Sequence, residues 1–295
     1  MSTQKFDTFI IGQPSLDINT DYDGTTISAY GGAVVYSGFA AGALGHPTAV
    51  LPKADLVKTD VGALFADAKN VTVFPVSSTH GTSISNVYHT ADRERRTCKA
   101  ISSIDPYLVS EIPDVDAKIY HLAGLVHGDI GEEIIAFAAK KAKVAVDVQC
   151  LLRWVENGDM VFHDWAQKKD YLPMIDYLKT DAAEAEILTG LTDRSAAAKQ
   201  LFDWGAKEVM ITHNTEVLVY DGKTCYTQPI KSRNLSGRTG RGDTTFAGYL
   251  NERISGDIPA ALLWATALVS LKMEAPGPFM GTREDVEEYI RMFYR

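Results

Sequence analysis

The sequence is poor in cysteine and in basic residues, and it lacks a long hydrophobic run. Its three cysteines (Cys98, Cys150 and Cys225) show no CxxC spacing, so neither a disulfide framework nor a zinc site is indicated. The 29 Lys and Arg residues are outnumbered by 38 Asp and Glu residues, which gives a net charge of −9. Because nucleic-acid binding depends on neutralising phosphates with Lys and Arg, this balance argues against a nucleic-acid partner.

The apolar runs are short as well. The run near the N-terminus, FDTFIIG, is too short for a signal peptide, and residues 258–269 fall short of a membrane span. We therefore expect a cytoplasmic protein with no membrane partner. Since the 295 residues contain no linker, low-complexity segment or repeat, we expect one domain over residues 1–295, which buries roughly 75% of its unfolded surface.

Strand and helix patterns alternate along the chain. Strands are predicted at residues 6–11, 48–51, 71–76, 118–122, 144–148, 177–179, 208–212 and 217–220. Helices are predicted at residues 31–44, 132–141, 182–188, 195–204, 243–254 and 259–273. This alternation predicts an α/β fold, a doubly wound and mostly parallel sheet flanked by helices. Residues 83–101 instead resemble two strands joined by a charged turn, Arg93–Arg96, and we expect them to form a flap outside the sheet.

The most informative stretch is residues 236–248, where Gly237, Gly240 and Gly242 stand directly before an amphipathic helix. A glycine-rich turn that leads into a helix exposes backbone N–H groups and the positive end of the helix dipole, which attracts phosphate. Asp243 is expected at or near the N-cap of this helix. From the residues alone, the glycines could serve packing and Asp243 could simply cap the helix.

Other phosphate-binding motifs are absent from the sequence. The only Gly-Lys-Thr, at residues 222–224, lacks the upstream glycine of a Walker A loop. No dinucleotide fingerprint GxGxxG follows an early strand. The metalloprotease motif HExxH and the hydrolase motif GxSxG do not occur either. The loop before Asp243 is therefore the main candidate for anion binding.

This loop resembles the second signature of the ribokinase/PfkB carbohydrate kinase family, DTxGAGD, which stands here as Gly237-Arg-Thr-Gly-Arg-Gly-Asp243. Four further segments resemble the family in order and spacing across nearly the whole chain. They are Ile11-Gly12-x4-Asp17, Gly31-Gly32 with the Ala-rich helix that follows, Asp147-Val-Gln-x3-Arg153, and Asp181-Ala-Ala-Glu184 with Leu188-Thr-Gly190.

The resemblance implies a ribokinase-like domain with a small β lid, whose strands come from about residues 17–30 and 83–101. It also implies phosphoryl transfer that depends on ATP and Mg²⁺. Asp243 would be the general base, and the backbone N–H groups of Gly240, Arg241 and Gly242 would form an anion hole. The lid of such kinases often serves in dimerisation, so a homodimer is a further expectation.

The same resemblance assigns residues to the substrate and the donor. The substrate-binding residues would be Asp17, Gly32, Tyr36 and Arg153. The donor- and cofactor-binding residues would be Asp181, Glu184, Thr212 and Arg238, with Asp181 and Glu184 holding Mg²⁺ through water.

Several positions depart from the family pattern. Arg241 replaces the alanine of GAGD, and Gly237 replaces its leading Asp. Tyr36 replaces the usual Asn of the first signature, and Asp181 replaces the Asn of NxxE. His213-Asn214 replaces the glycine after Thr212, which puts the contacts to adenine in doubt.

Several roles stay open at this point. Arg238 and Arg241 would either clamp phosphate oxygens or face solvent. Asp181 would either strengthen the Mg²⁺ site or cap the helix that follows it. Arg153 would meet a negative charge on the substrate or pair with Asp147.

The sequence thus predicts an ATP-dependent kinase that phosphorylates a hydroxyl of a sugar or polyol. One alternative is a nucleoside kinase of the same fold, which would need a base to fit beside Tyr36. The other is a catalytically silent family member with a binding or regulatory role, which the altered motifs favour and the presence of Asp243 opposes.

Overall fold

The fold is described from a computed structural model that covers residues 4–90 and 95–295. The strands are β1 (Lys5–Gly12), β2 (Ser15–Thr20), β3 (Thr26–Gly31), β4 (Thr48–Ala54), β5 (Val71–Val73), β6 (Val76–Ser77), β7 (Thr82–Tyr88), β8 (Arg96–Ser102), β9 (Asp116–Leu122), β10 (Lys143–Asp147), β11 (Arg153–Glu156), β12 (Asp159–Phe162), β13 (Tyr177–Asp181), β14 (Val209–Thr212), β15 (Glu216–Tyr220) and β16 (Cys225–Pro229). The helices are α1 (Ala33–Ala43), α2 (Val61–Leu64), α3 (Glu132–Ala138), α4 (Gln149–Leu152), α5 (Lys168–Tyr171), α6 (Ala182–Thr189), α7 (Arg194–Asp203), α8 (Arg241–Arg253), α9 (Ile258–Lys272) and α10 (Arg283–Phe293).

Most strands form one ten-stranded sheet in the order β16-β15-β14-β13-β10-β9-β1-β4-β5, with β6 paired to β4. Within this order, neighbouring strands from β14 through β13, β10, β9, β1 and β4 to β5 pair in parallel. At one edge, β15 and β16 are antiparallel. The predicted α/β fold with a mostly parallel sheet is confirmed.

Both faces of this sheet are covered by helices, as the side-chain alternation along β10 illustrates. Val144 and Val146 join the apolar cluster that contains α3, α6 and α7, whereas Ala145 between them joins the cluster of α8 and α9. Coverage of both faces explains why the central strands are continuous apolar runs. It also holds α8 between α1 and α9, so that the start of α8 lies at the carboxyl edge of the sheet.

A second sheet of six strands, which we call the small sheet, has the order β11-β12-β8-β7-β2-β3. Strands of this sheet occupy both segments for which the lid was expected. Residues 93 and 94 of the expected charged turn lie outside the described residues. The hairpin of β11 and β12 was missed, although its Asn157-Gly158 pair, with φ values of 53° and 86°, is a strong hairpin signal in a sequence.

The first helix begins later than expected, at Ala33, because Gly31 ends β3 and Gly32 adopts a φ of 100°. A Cβ atom on Gly32 would also collide with the backbone of Gln13 and Ser15, so only glycine fits there. No helix in the described part of the chain is long and apolar enough to span a membrane.

Candidate active site

The carboxyl ends of several parallel strands meet at one cavity of about 420 Å³. Asp181 ends β13 and Thr212 ends β14, Gln149 follows the end of β10, and Asp17 reaches the cavity from β2 in the small sheet. Ligands of open α/β sheets bind at this edge, and the volume suits a small molecule. All twelve residues assigned by resemblance line this cavity: Asp17, Gly32, Tyr36, Arg153, Asp181, Glu184, Thr212, Arg238, Gly240, Arg241, Gly242 and Asp243.

The stretch Gly237–Gly242, here called the glycine loop, passes directly into α8. Gly240 is the N-cap of that helix with a φ of 76°, and a Cβ atom there would overlap the ring of Tyr36. The ring of Tyr36 thus packs on the glycine loop rather than standing free in the cavity. Among the three N–H groups assigned to the anion hole, that of Arg241 donates to the Arg238 carbonyl oxygen at 3.3 Å. The first-turn N–H group of Gly242 has no acceptor within the helix.

Asp243 lies in the first turn of α8, three residues after the N-cap, so it stands near the cap, as expected, but it is not the capping residue. The cap falls on Gly240 because its left-handed backbone turns the chain there. Loss of hydration and the nearby charge of Asp147 raise the pKa of Asp243 to about 6, although Lys179, Arg153 and Lys272 act in the opposite direction. A carboxylate with this pKa is ionised at neutral pH and close to the proton affinity that a general base needs.

A buried ion pair lies beneath Asp243. The Lys179 ammonium is 2.8 Å from the Asp147 carboxylate, and both side chains are less than a tenth exposed. Burial alone would lower the pKa of Lys179, but Asp147, Glu184 and Asp243 together raise it above its usual value. The alternative that Arg153 pairs with Asp147 is wrong, because Arg153 donates instead to the Gln149 Oε1 atom at 2.7 Å.

Sequence reasoning missed this pair. Its signal was a lysine inside a predicted strand of the central sheet, β13, where a buried charge requires a partner. Asp147 and Lys179 are direct register partners in the parallel pairing of β10 and β13. The pair places a positive charge beside Gly242, since a Cβ atom on that glycine would lie 3.1 Å from the Lys179 Nζ atom.

The small sheet forms the opposite wall of the cavity. The Asp17 carboxylate accepts a hydrogen bond of 2.5 Å from the Ser15 hydroxyl. Burial raises the pKa of Asp17, while Ser15, Arg96 and Arg153 partly offset that effect. Sequence reasoning missed several lining side chains of the small sheet, among them Asn86, Tyr88, Arg96 and Cys98.

Two arginines mark the other end of the cavity. Arg238 and Arg241 belong to the glycine loop, and the Arg241 guanidinium donates to the Asn214 Oδ1 atom at 2.8 Å. This bond connects the glycine loop to the turn after β14. Guanidinium groups bind phosphate oxygens well because they are planar and permanently charged.

Asp181 and Glu184 form a capping box at the start of α6. Asp181 accepts from the Glu184 N–H at 2.8 Å, and Glu184 accepts from the Asp181 N–H at 2.7 Å. Each bond uses one carboxylate oxygen and leaves the other for a further partner. Mg²⁺ commonly binds one or two carboxylates, keeps several waters and contacts substrate phosphates, so these residues fit a hydrated ion. Within residues 4–90 and 95–295, no cluster of three or more His, Cys, Asp or Glu side chains forms a dedicated metal site.

Comparisons with known proteins point to kinases. A family model described as pfkB family carbohydrate kinase matches residues 69–281. The cytidine kinase of Thermococcus kodakarensis is 26% identical over 258 residues, which cover 83% of this chain and 87% of that protein.

Two solved structures are similar over almost the whole chain. The sulfate complex of a pyrophosphate-dependent kinase in the ribokinase family is 35% identical, with a TM-score of 0.87 over 95% of this chain and 99% of that one. A pyrophosphate-dependent kinase of the same family, complexed with a pyrophosphate analogue and myo-inositol, is 34% identical, with a TM-score of 0.86 and the same coverage.

Proposed function

The chain belongs to the pfkB family of carbohydrate kinases, and from this membership we propose that it transfers a phosphoryl group from pyrophosphate to a hydroxyl of an inositol-like polyol. The observation that carries the proposal is the juxtaposition of Asp243 with the glycine loop and two arginines in one cavity. That arrangement supplies a base, an anion site and phosphate ligands within reach of each other. Phosphoryl transfer requires these parts because it depends on positioning and charge stabilisation.

The choice of pyrophosphate rests on the donor end of the cavity. Arg238 and Arg241 bring positive charge to positions where the family pattern has Thr and Ala, and the bond from Arg241 to Asn214 crosses from the glycine loop to the turn after β14. Pyrophosphate consists only of phosphate groups, so all of it can interact with this positive charge, and it needs no contacts to adenine. Those contacts are in doubt here because His213-Asn214 replaces the glycine after Thr212. Both solved structures described above are of pyrophosphate-dependent kinases. ATP, which the sequence resemblance implies, is the second candidate donor.

The acceptor end of the cavity favours a compound with adjacent hydroxyls. The Asp17 carboxylate accepts hydrogen bonds, and the amide of Asn86 and the guanidinium of Arg153 offer further polar groups around it. One of the similar structures holds myo-inositol, which is such a compound. A nucleoside is the second candidate because its ribose has the same feature and because a cytidine kinase is among the relatives.

The proposed reaction begins when Asp243 accepts the proton of the acceptor hydroxyl. The freed oxygen attacks the terminal phosphorus atom of the donor, and the bond to the leaving phosphate breaks. Backbone N–H groups of Gly240 and Gly242 stabilise the charge that develops on the transferred group. Mg²⁺, held through water by Asp181 and Glu184, would neutralise charge on the donor. The small sheet, acting as a lid, would exclude water that otherwise competes with the acceptor.

The pH dependence of turnover tests the role of Asp243. Because its pKa is raised to about 6, the carboxylate is protonated below that pH and cannot accept the substrate proton. We expect kcat to be highest near pH 7 and to fall about tenfold for each unit below pH 6. Donor binding, measured by calorimetry at the same pH values, serves as the control. A kcat that stays constant from pH 7 to pH 5 would contradict the assignment.

The donor and the acceptor are tested together in one steady-state experiment. Pyrophosphate and ATP, each with Mg²⁺, are offered with myo-inositol, ribose and cytidine, and the consumption of donor is measured. We expect the highest kcat/KM for pyrophosphate with the polyol. Preference for ATP would correct the donor, and preference for cytidine would correct the acceptor. Donor binding without turnover on any acceptor would support the silent, regulatory alternative.

A further inference from the structure

A buried lysine lies beneath the glycine loop, at the end of α9. The Lys272 ammonium donates hydrogen bonds to the Gly237 carbonyl oxygen at 2.6 Å and to the Thr239 carbonyl oxygen. Its Nζ atom also lies 5.0 Å from the centre of the Tyr36 ring. Only 3% of the residue is exposed, so the charge serves interior groups rather than solvent.

The surroundings of this ammonium explain why a cation is needed there. The glycine loop lies on the C-terminal end of α9, where Gly237 donates to the Met273 carbonyl oxygen at 2.7 Å. A Cβ atom on Gly237 would collide with the Ala275 carbonyl, so the loop and the helix end are in direct contact. The last carbonyls of a helix carry partial negative charge, and two more carbonyls from the loop add to it. The Lys272 ammonium neutralises this accumulation.

Peptide geometry connects this contact to the anion hole. In a trans peptide, the carbonyl oxygen of one residue and the N–H of the next point in opposite directions. The Thr239 carbonyl faces Lys272, so the N–H of Gly240 faces away from it. Gly240 lines the cavity and packs on Tyr36, so this N–H is one of the donors that the proposed reaction uses.

We propose that Lys272 is a positioning residue whose ammonium acts as a fixed internal cation, holding the glycine loop with the Gly240 N–H directed at the transferred phosphoryl group. The inference rests on the proposed function, because it assigns a role to the same loop. A fixed cation at converging carbonyl oxygens also makes the loop independent of a dissolved monovalent cation.

The protonation of Lys272 at neutral pH is consistent with this role. Burial lowers its pKa to about 8, and the negative charge of Asp243 opposes the decrease. The groups that face the ammonium are Asp243 from α8, the Tyr36 ring from α1 and the loop carbonyls. At pH 7 the ammonium therefore keeps its charge.

The test compares Lys272→Met with the wild type and with Lys231→Met. Methionine keeps most of the length of the side chain but removes the charge. Lys231 is a matched control, because its ammonium also donates to a main-chain carbonyl, that of Phe293 at 2.6 Å, and also lies near a tyrosine ring. Its side chain is exposed and contacts the end of α10 rather than the glycine loop. Each protein is assayed in sodium, potassium, ammonium and tetramethylammonium chloride at equal ionic strength.

We expect the wild type and Lys231→Met to turn over equally in all four salts. In Lys272→Met, kcat in sodium chloride falls by about 10²-fold, similar to the loss of one oxyanion-hole donor, while the KM of the acceptor changes little. Ammonium or potassium ions restore a large part of kcat, whereas tetramethylammonium, which is too large for the site, does not.

Two results would overturn the inference while the proposed function stands: an unchanged kcat in Lys272→Met, or a loss of kcat that is equal in all four salts. Absence of turnover in the wild type would instead count against the proposed function. A ¹⁵N spectrum then still tests the loop. Pyrophosphate shifts the amide signal of Gly240 in the wild type but not in Lys272→Met, and an equal shift in both proteins would overturn the inference.

Discussion

Replacement of Asp243 by asparagine is expected to lower kcat by about 10²–10⁴-fold, the contribution of a well-placed general base. Asparagine has nearly the same shape but cannot accept the proton of the acceptor hydroxyl. Because Asp243 contributes negative charge next to the phosphate site, its neutralisation should leave donor binding unchanged or tighten it. Steady-state kinetics and calorimetric titration with the donor measure the two effects separately.

The matched control for this variant is Asp193→Asn. Asp193 caps α7 through a hydrogen bond from the Ala196 N–H, and asparagine is an equally good cap. We therefore expect wild-type stability and turnover in the control. Turnover of Asp243→Asn within a factor of a few of the wild type would rule out Asp243 as the base.

Replacement of Lys179 by methionine is expected to cost about 3–5 kcal/mol in the free energy of unfolding, because it leaves the Asp147 carboxylate buried without its partner. Urea unfolding at pH 7 measures the loss. The variant should also shift the acid limb of the kcat profile to higher pH. The reason is that Lys179 lowers the pKa of Asp243, so removing its charge raises that pKa further.

The control for this variant is Lys207→Met. The Lys207 ammonium lies at the same 2.8 Å distance from a carboxylate, that of Asp176, but its side chain is 60% exposed. An exposed pair of this kind contributes at most about 1 kcal/mol. If both variants have similar free energies of unfolding, the buried pair of Lys179 and Asp147 does not stabilise the fold to the extent expected. The double variant Lys179→Met with Asp147→Leu should recover part of the loss, since it removes the unpaired charge.

The sequence predicts best those parts of the site that depend on residues close together in the chain. The glycine loop precedes a helix with clear periodicity, and Asp243 follows it at fixed spacing, so backbone geometry and the candidate base are predictable together. The same holds for Asp181 and Glu184, whose spacing of three residues is that of a capping box. The hairpin of β11 and β12 was missed, but it too is predictable from a local pattern, because Asn157-Gly158 is a strong hairpin signal.

The parts that sequence does not predict depend on contacts between distant segments. Asp147 and Lys179 become partners only through the register of β10 with β13. Lys272 reaches Gly237 across 35 positions, and only the packing of α9 against the start of α8 brings them together. The packing of the Tyr36 ring is unpredictable from sequence for the same reason, since the ring contacts a loop that lies about two hundred residues later.

The proposed function is the transfer of a phosphoryl group from pyrophosphate to a polyol, with Asp243 as the base. The most direct measurement is a ³¹P NMR time course of the purified protein with pyrophosphate, Mg²⁺ and myo-inositol, with Asp243→Asn run beside it. With this function, a phosphomonoester signal and an inorganic phosphate signal should grow in equal amounts in the wild type and hardly at all in the variant. Pyrophosphate that persists unchanged, or that yields inorganic phosphate without a phosphomonoester, would contradict it.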